Sequence, residues 1–314
     1  MPSNSSVSIS FAVLGLIASS VRAQGFTGLP VEGAPLAELG PYDVVSEPAT
    51  GSTGLLVFRP SNLDELPNDT FPVLVWANGG CVKDSETYRG FLTTIASHGF
   101  LVLTTTVLDF EAQGRPAVLI VDGSVQVQVP PETLRGALDW AEAEARRENS
   151  PLYGKIATDS MAVMGQSCGA MSAVVLGSDP RVDTIGLFNG SGIAPTPPVP
   201  LPDPPRTPFA SLEALANLHG PVLVVNGHEA DFVMAESANT YDAIDDVPTF
   251  YGARRDAGHL GTFEHPGGGE FANVASNWLK WTLKGDEAAG ELFLGEHCGL
   301  CANTNWEVRS KRLR

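Results

Sequence analysis

Asp159-Ser160-Met161-Ala162-Val163-Met164-Gly165-Gln166-Ser167-Cys168-Gly169-Ala170-Met171 reads as a buried strand, a sharp turn and the start of a helix. The apolar run Met161 to Met164 is the strand. It stops at Gly165, and the small residues Gly169, Ala170, Ser172 and Ala173 open the helix. Ser167 sits between them in a G-x-S-x-G frame, a nucleophile elbow whose turn is so tight that the flanking positions must be small. The turn presents the serine hydroxyl at the strand tip, with the positive end of the following helix beneath it. Five residues alone are a weak signal; the strand before and the helix after make Ser167 a nucleophile in this reading.

Outward from the elbow, strands and helices alternate. Strands are expected at 54–58, 71–77, 100–105, 184–188, 221–226 and 248–253, and helices at 85–98, 131–148, 211–218 and 270–284. The run Phe71 to Ala77 is apolar throughout, as in a strand covered on both faces. This alternation implies an α/β class with a mostly parallel sheet and helices on both faces. The segment 191–208 is too rich in proline for regular structure. Only about thirty residues separate Phe188 from Pro221, which leaves no room for a large cap domain. The reading is one domain over 24–285, with a tail at 286–314 that packs across its outside and ends in a basic, mobile stretch.

Hydrophobic residues make up 43% of 314 and the net charge is −17, with a pI near 4.6. This acidic surface argues against nucleic acid and anionic membranes as partners and favours a soluble monomer. The apolar segment Val7 to Ile17, with Val21 and Ala23 at the −3 and −1 positions before Gln24, reads as a secretory signal peptide over 1–23. The protein is therefore expected to be extracellular. Four cysteines suit an oxidising compartment and two disulfides. Asn68-Asp69-Thr70 and Asn189-Gly190-Ser191 are glycosylation sequons, the second following a buried strand where access is poor.

A serine hydroxyl needs a base. Of six histidines, His259 in Gly258-His259-Leu260-Gly261 follows the last expected strand and has flanking glycines that let its loop bend. His265 is the alternative; His98 and His219 lie at helix ends and read as capping or packing residues. In the α/β hydrolases that the elbow resembles, the acid follows the next-to-last strand; here that is 221–226, where Asn226-Gly227-His228-Glu229-Ala230-Asp231 offers two carboxylates. The shorter Asp231, deeper in the loop, is preferred to Glu229 for orienting the histidine. Two backbone donors must also face a tetrahedral oxyanion. The amide of Cys168 is one; the other is expected from Asn78-Gly79-Gly80-Cys81, with Cys81 favoured. Both donors then belong to neighbouring cysteines, which suggests a Cys81–Cys168 disulfide and leaves Cys298 to pair with Cys301. The competing reading keeps Cys168 as a free buried thiol. Cys298-Gly299-Leu300-Cys301 lacks a second ligand pair for a metal, and no cofactor is expected.

The elbow, Gly79-Gly80-Cys81, Ile95-Ala96-Ser97-His98-Gly99-Phe100 and Gly258-His259 resemble the α/β-hydrolase superfamily, nearest the branch of cutinase-like polyester hydrolases, chlorophyllases and dienelactone-hydrolase-like proteins. Gly165-Gln166-Ser167-Cys168-Gly169, Trp278-Leu279-Lys280-Trp281-Thr282-Leu283-Lys284-Gly285 and the Cys298/Cys301 tail are similar to a group of secreted fungal members. Ala170 departs from a frequent glycine, and 108–130 matches no member. The resemblance implies an α/β-hydrolase fold and hydrolysis of a small or polymeric carboxylic ester through an acyl-enzyme. Trp76, Val82 and Phe232 are candidate pocket walls, each equally a candidate for the core. A biosynthetic hydrolase of a lactone or acylated metabolite is the alternative. A non-catalytic binding protein is the third reading, opposed by the complete serine, histidine and acid set.

Overall fold

The computed structural model describes residues 36–64, 66–68, 70–106, 118–194 and 206–313. The expected signal peptide and part of the 108–130 loop lie outside them. In chain order the elements are β1 (Val44–Pro48), β2 (Leu55–Pro60), β3 (Phe71–Ala77), α1 (Arg89–Ser97), β4 (Leu101–Thr105), β5 (Val118–Val121), β6 (Ser124–Val127) and α2 (Pro131–Arg146). They continue with β7 (Ile156–Gln166), α3 (Cys168–Leu176), β8 (Val182–Phe188), β9 (Val222–Gly227), α4 (Met234–Ala243), β10 (Thr249–Arg254), α5 (Gly269–Lys284) and β11 (Trp306–Lys311).

Nine strands form one sheet in the order β1-β2-β4-β3-β7-β8-β9-β10-β11. Pairing is parallel from β4 through β10, while β1, β2 and β11 add antiparallel strands at the two ends. The α/β class with helices on both faces is thus what the chain adopts. Side chains of β3 alternate: Val73, Val75 and Ala77 join the core beneath α2, α3 and α4, while Leu74 and Trp76 join the core beneath α1 and α5. Both faces of the central strands are therefore dry, which is why their sequences read as unbroken apolar runs.

After β3 the chain crosses to β4 on one side; after β7 it proceeds to β8 on the other. The loops leaving β3 and β7 therefore diverge at neighbouring strand ends, where an open parallel sheet forms a crevice. That crevice carries Ser167.

Several expectations change. The stretch 85–98 is a 3-10 turn, Glu86–Tyr88, followed by α1. Residues 212–217 are 3-10 rather than α-helical. The 108–130 region contains the hairpin β5–β6, bridged to Arg206. Helix α4 and strand β1 were not expected. In the tail, where a mobile end is expected, Trp306 to Lys311 form β11, which pairs with β10 from Trp306–Arg254 to Lys311–Thr249. Its charged sequence, Trp306-Glu307-Val308-Arg309-Ser310-Lys311, suits an edge strand, because Trp306 and Val308 meet the core while the edge itself faces water. Among the described residues no helix is long and apolar enough to cross a membrane.

Candidate active site

Ser167 links β7 to α3 with φ +54 and ψ −117, a region that a side chain adopts only at a cost. The surrounding contacts hold it there. The Ser167 amide donates to Phe188 O at 2.9 Å. A Cβ at Gly165 would lie 2.4 Å from Gly169 O, and one at Gly169 would lie 2.1 Å from Ala77 O, so neither position can carry a side chain without displacing backbone. The frame of small residues is thus a consequence of β3, β7 and α3 converging.

His259 Nε2 lies 3.0 Å from Ser167 Oγ, and His259 Nδ1 lies 2.9 Å from Asp231 Oδ1. A carboxylate only accepts, so Nδ1 carries the proton and Nε2 is left to accept from the serine. Asp231 is buried and fully engaged: Oδ1 also accepts from the Val233 amide at 3.3 Å, and Oδ2 accepts from Asn189 Nδ2 at 2.7 Å. A serine, a base and an acid that orients the base therefore lie in one hydrogen-bonded series, an arrangement able to deprotonate the hydroxyl during attack on a carbonyl. Phe232, next to the acid, is 59% exposed and lays its ring against the imidazole at a centroid distance of 4.1 Å.

The loop carrying His259 is fixed at both ends by Arg254. This buried guanidinium makes two bonds to Asp256, at 2.7 and 3.0 Å, and pairs with Glu270 at the start of α5. The other candidates are placed elsewhere. Glu229 is exposed on the same loop as Asp231. His265 packs beyond the loop, its pKa pushed down by burial and then by the Arg254 charge. His98 caps α1 and bonds Glu38 O at 3.0 Å, its pKa lowered chiefly by burial. His219 is exposed.

Cys168 begins α3, so its amide is among the helix's unpaired N–H groups. Cys81 is joined to it by a disulfide, with 5.3 Å between the Cα atoms. The Cys81 amide, however, already donates to Asn78 O at 3.2 Å, while the amide of Gly80 makes no hydrogen bond among the described residues. The free donor of that loop is therefore one residue earlier than expected. Cys298 and Cys301 form the second disulfide. Chain-entropy arguments give the first bridge, which closes an 87-residue separation, about 4–5 kcal/mol of stabilisation.

Asn68 is exposed. Asn189, whose access is expected to be poor, is 0% exposed in the folded protein. Its amide instead supports Asp231 and also reaches Gly258 O at 3.2 Å. An asparagine at a strand end, opposite two expected site loops, was the only sequence hint of that role. Trp76 is likewise core rather than wall, packed against Tyr88, Phe91, Phe188 and Phe263. Val82 is half-buried.

An open depression of about 720 Å³ beside α5, lined by residues including Asn277, Leu292 and His297, shares no residue with this site. No family model matches the chain, and no curated protein matches it.

Proposed function

We propose that this protein is a secreted serine hydrolase of carboxylic esters built on an α/β-hydrolase fold. The observation that carries the reading is the Ser167–His259–Asp231 series, at 3.0 and 2.9 Å, with the serine held on a strained strand-to-helix turn. Ser167 Oγ attacks the ester carbonyl as His259 Nε2 takes its proton. The oxyanion faces the Cys168 amide and an amide of the Gly80-Cys81 loop. His259 then protonates the leaving alcohol, and water releases the acyl group by the same steps in reverse order. Asp231 holds the imidazole in the tautomer this requires.

The two disulfides, and the leader read in the sequence, support an extracellular setting. The exposed Phe232 ring supports a substrate with an apolar or aromatic group on the Asp231 side of the ester. The test is hydrolysis of p-nitrophenyl esters of short and long acyl chains by the purified protein, with and without a serine-directed fluorophosphonate. Turnover abolished by labelling at Ser167 supports the reading; neither turnover nor labelling overturns it.

A further inference from the structure

Gln166 and Tyr88 take no part in the proton transfers above, yet both are buried within the site's framework, at 2% and 5% exposure. We propose that Tyr88 and Gln166 are a positioning pair that locks the oxyanion loop to the His259 loop, an inference that rests on the hydrolase reading.

Three hydrogen bonds run in series. The Gly79 amide donates to Tyr88 Oη at 2.9 Å, Tyr88 Oη donates to Gln166 Oε1 at 2.9 Å, and Gln166 Nε2 donates to His259 O at 2.9 Å. Every proton direction in the series is forced. The His259 carbonyl can only accept, so the amide nitrogen of Gln166 must face it and Oε1 must face Tyr88. The phenol is then the donor, and its lone pair is left for the Gly79 amide. Burial pushes the Tyr88 pKa up to about 12, so the donor proton is present throughout the neutral range.

The first residue of the series adjoins Gly80, whose amide makes no hydrogen bond among the described residues; the last is the histidine itself. Each loop is thereby referenced to the other through the residue that precedes Ser167. Gly79 gives an independent sign of the same arrangement. A Cβ there would fall 2.0 Å from Gln166 Oε1 and 2.6 Å from Tyr88 Oη, so the glycine is required because the relay occupies its side-chain space. Tyr88 and Gln166 are buried, so removing one leaves a buried partner unsatisfied.

A packing role and a positioning role differ in what they change. Packing alone lowers the melting temperature and leaves turnover per folded molecule intact. Positioning lowers kcat through misaligned loops while KM stays nearly constant, because the ground-state ester does not use the oxyanion donors fully.

The experiment compares Tyr88→Phe, Gln166→Met and the double variant with the wild-type protein on p-nitrophenyl acetate. In parallel, proton NMR follows the hydrogen-bonded His259 Nδ1 proton, which is visible whether or not the protein turns over. We expect each single variant to lose roughly tenfold in kcat with KM within about twofold. The double variant should be no worse than the poorer single one, since one broken link already uncouples the loops. The Nδ1 resonance should shift in all three. Should Tyr88→Phe fail to fold, Gln166→Glu keeps size and the acceptor for Tyr88 but turns a carboxylate oxygen toward the His259 carbonyl, and should lose at least as much as Gln166→Met. Wild-type kcat with an unmoved resonance in a folded variant overturns the pair, as do multiplicative losses in the double. A wild type without turnover or labelling removes the hydrolase reading, and the resonance alone then decides whether Tyr88 and Gln166 hold the histidine.

Discussion

At the floor of the site, Ser167, Gln166, Asp231 and His259 are held from several directions by hydrogen bonds, close backbone contacts and a disulfide. At its rim, Phe232 stands 59% exposed. The floor joins residues far apart in sequence, 92 positions in the case of Ser167 and His259. Phe232 belongs to the short turn between β9 and α4. The contrast separates what the site does to a bond from which molecule it admits. Chemistry needs positions fixed to within a fraction of an ångström, whereas admission needs only shape and apolar surface, which a loop can supply and alter without disturbing the sheet.

Removing the floor's central atom should have the largest effect. On the proposed mechanism, Ser167→Ala is expected to lower kcat by about a millionfold, the loss serine hydrolases show, with an unchanged melting temperature. Residual turnover near the wild-type level in that variant would place the chemistry elsewhere. Asp231→Asn leaves the shape but reverses the preferred imidazole tautomer; the expected loss is about ten-thousandfold in kcat. Glu229→Gln, on the exposed part of the same loop, should change kcat by less than about twofold. Equal losses in both would erase the distinction between the buried acid and its exposed neighbour.

The two disulfides sharpen the contrast in stability rather than rate. Replacing Cys81 and Cys168 together by serine should lower unfolding free energy by about 4–5 kcal/mol in denaturant titrations. The same change at Cys298 and Cys301, only three residues apart, should cost about 2 kcal/mol. Turnover at a temperature where both proteins are folded should fall for the first pair alone. Phe232→Ala is the rim's own test. Its kcat/KM on a long-chain or aromatic ester, relative to acetate, should drop about tenfold, with the acetate value itself within about threefold. An equal fall on both substrates would make Phe232 part of the floor.

The parts of this architecture readable in the sequence are those with a repeating or locally forced pattern. The apolar run of β3 follows from burial on both faces, and Gly165 and Gly169 follow from backbone crowding. The order of serine, acid and histidine follows from the order of parallel strands. What stayed hidden depends on tertiary neighbours. Strand β11 is charged because it is an edge, and charge in a tail reads as solvent exposure until β10 is placed beside it. Strand β1, half-buried and ending in Pro48, sends the same weak signal from the opposite edge. Gln166 occupies the variable position of the elbow motif, and its meaning appears only when Tyr88 and the His259 carbonyl are brought to it. Gly80 rather than Cys81 offers the free amide because a 3-10 turn consumes the other, a detail of loop winding that residue types do not encode.

Asn189 carries a consequence for the birth of the molecule. Both hydrogens of its side-chain amide are committed in the folded state, one to Asp231 and one toward Gly258. A sugar attached to that nitrogen would take one of them and demand space where exposure is zero. Yet in the unfolded chain Asn189-Gly190-Ser191 is an open acceptor sequence. On the proposed secreted reading, two events compete at one nitrogen: closure of β8 against β9, and oligosaccharide transfer. A chain that closes first becomes competent. On that same reading, a chain glycosylated first loses the Asn189 bond to Asp231, so slow folding would leave behind a heavier population without it.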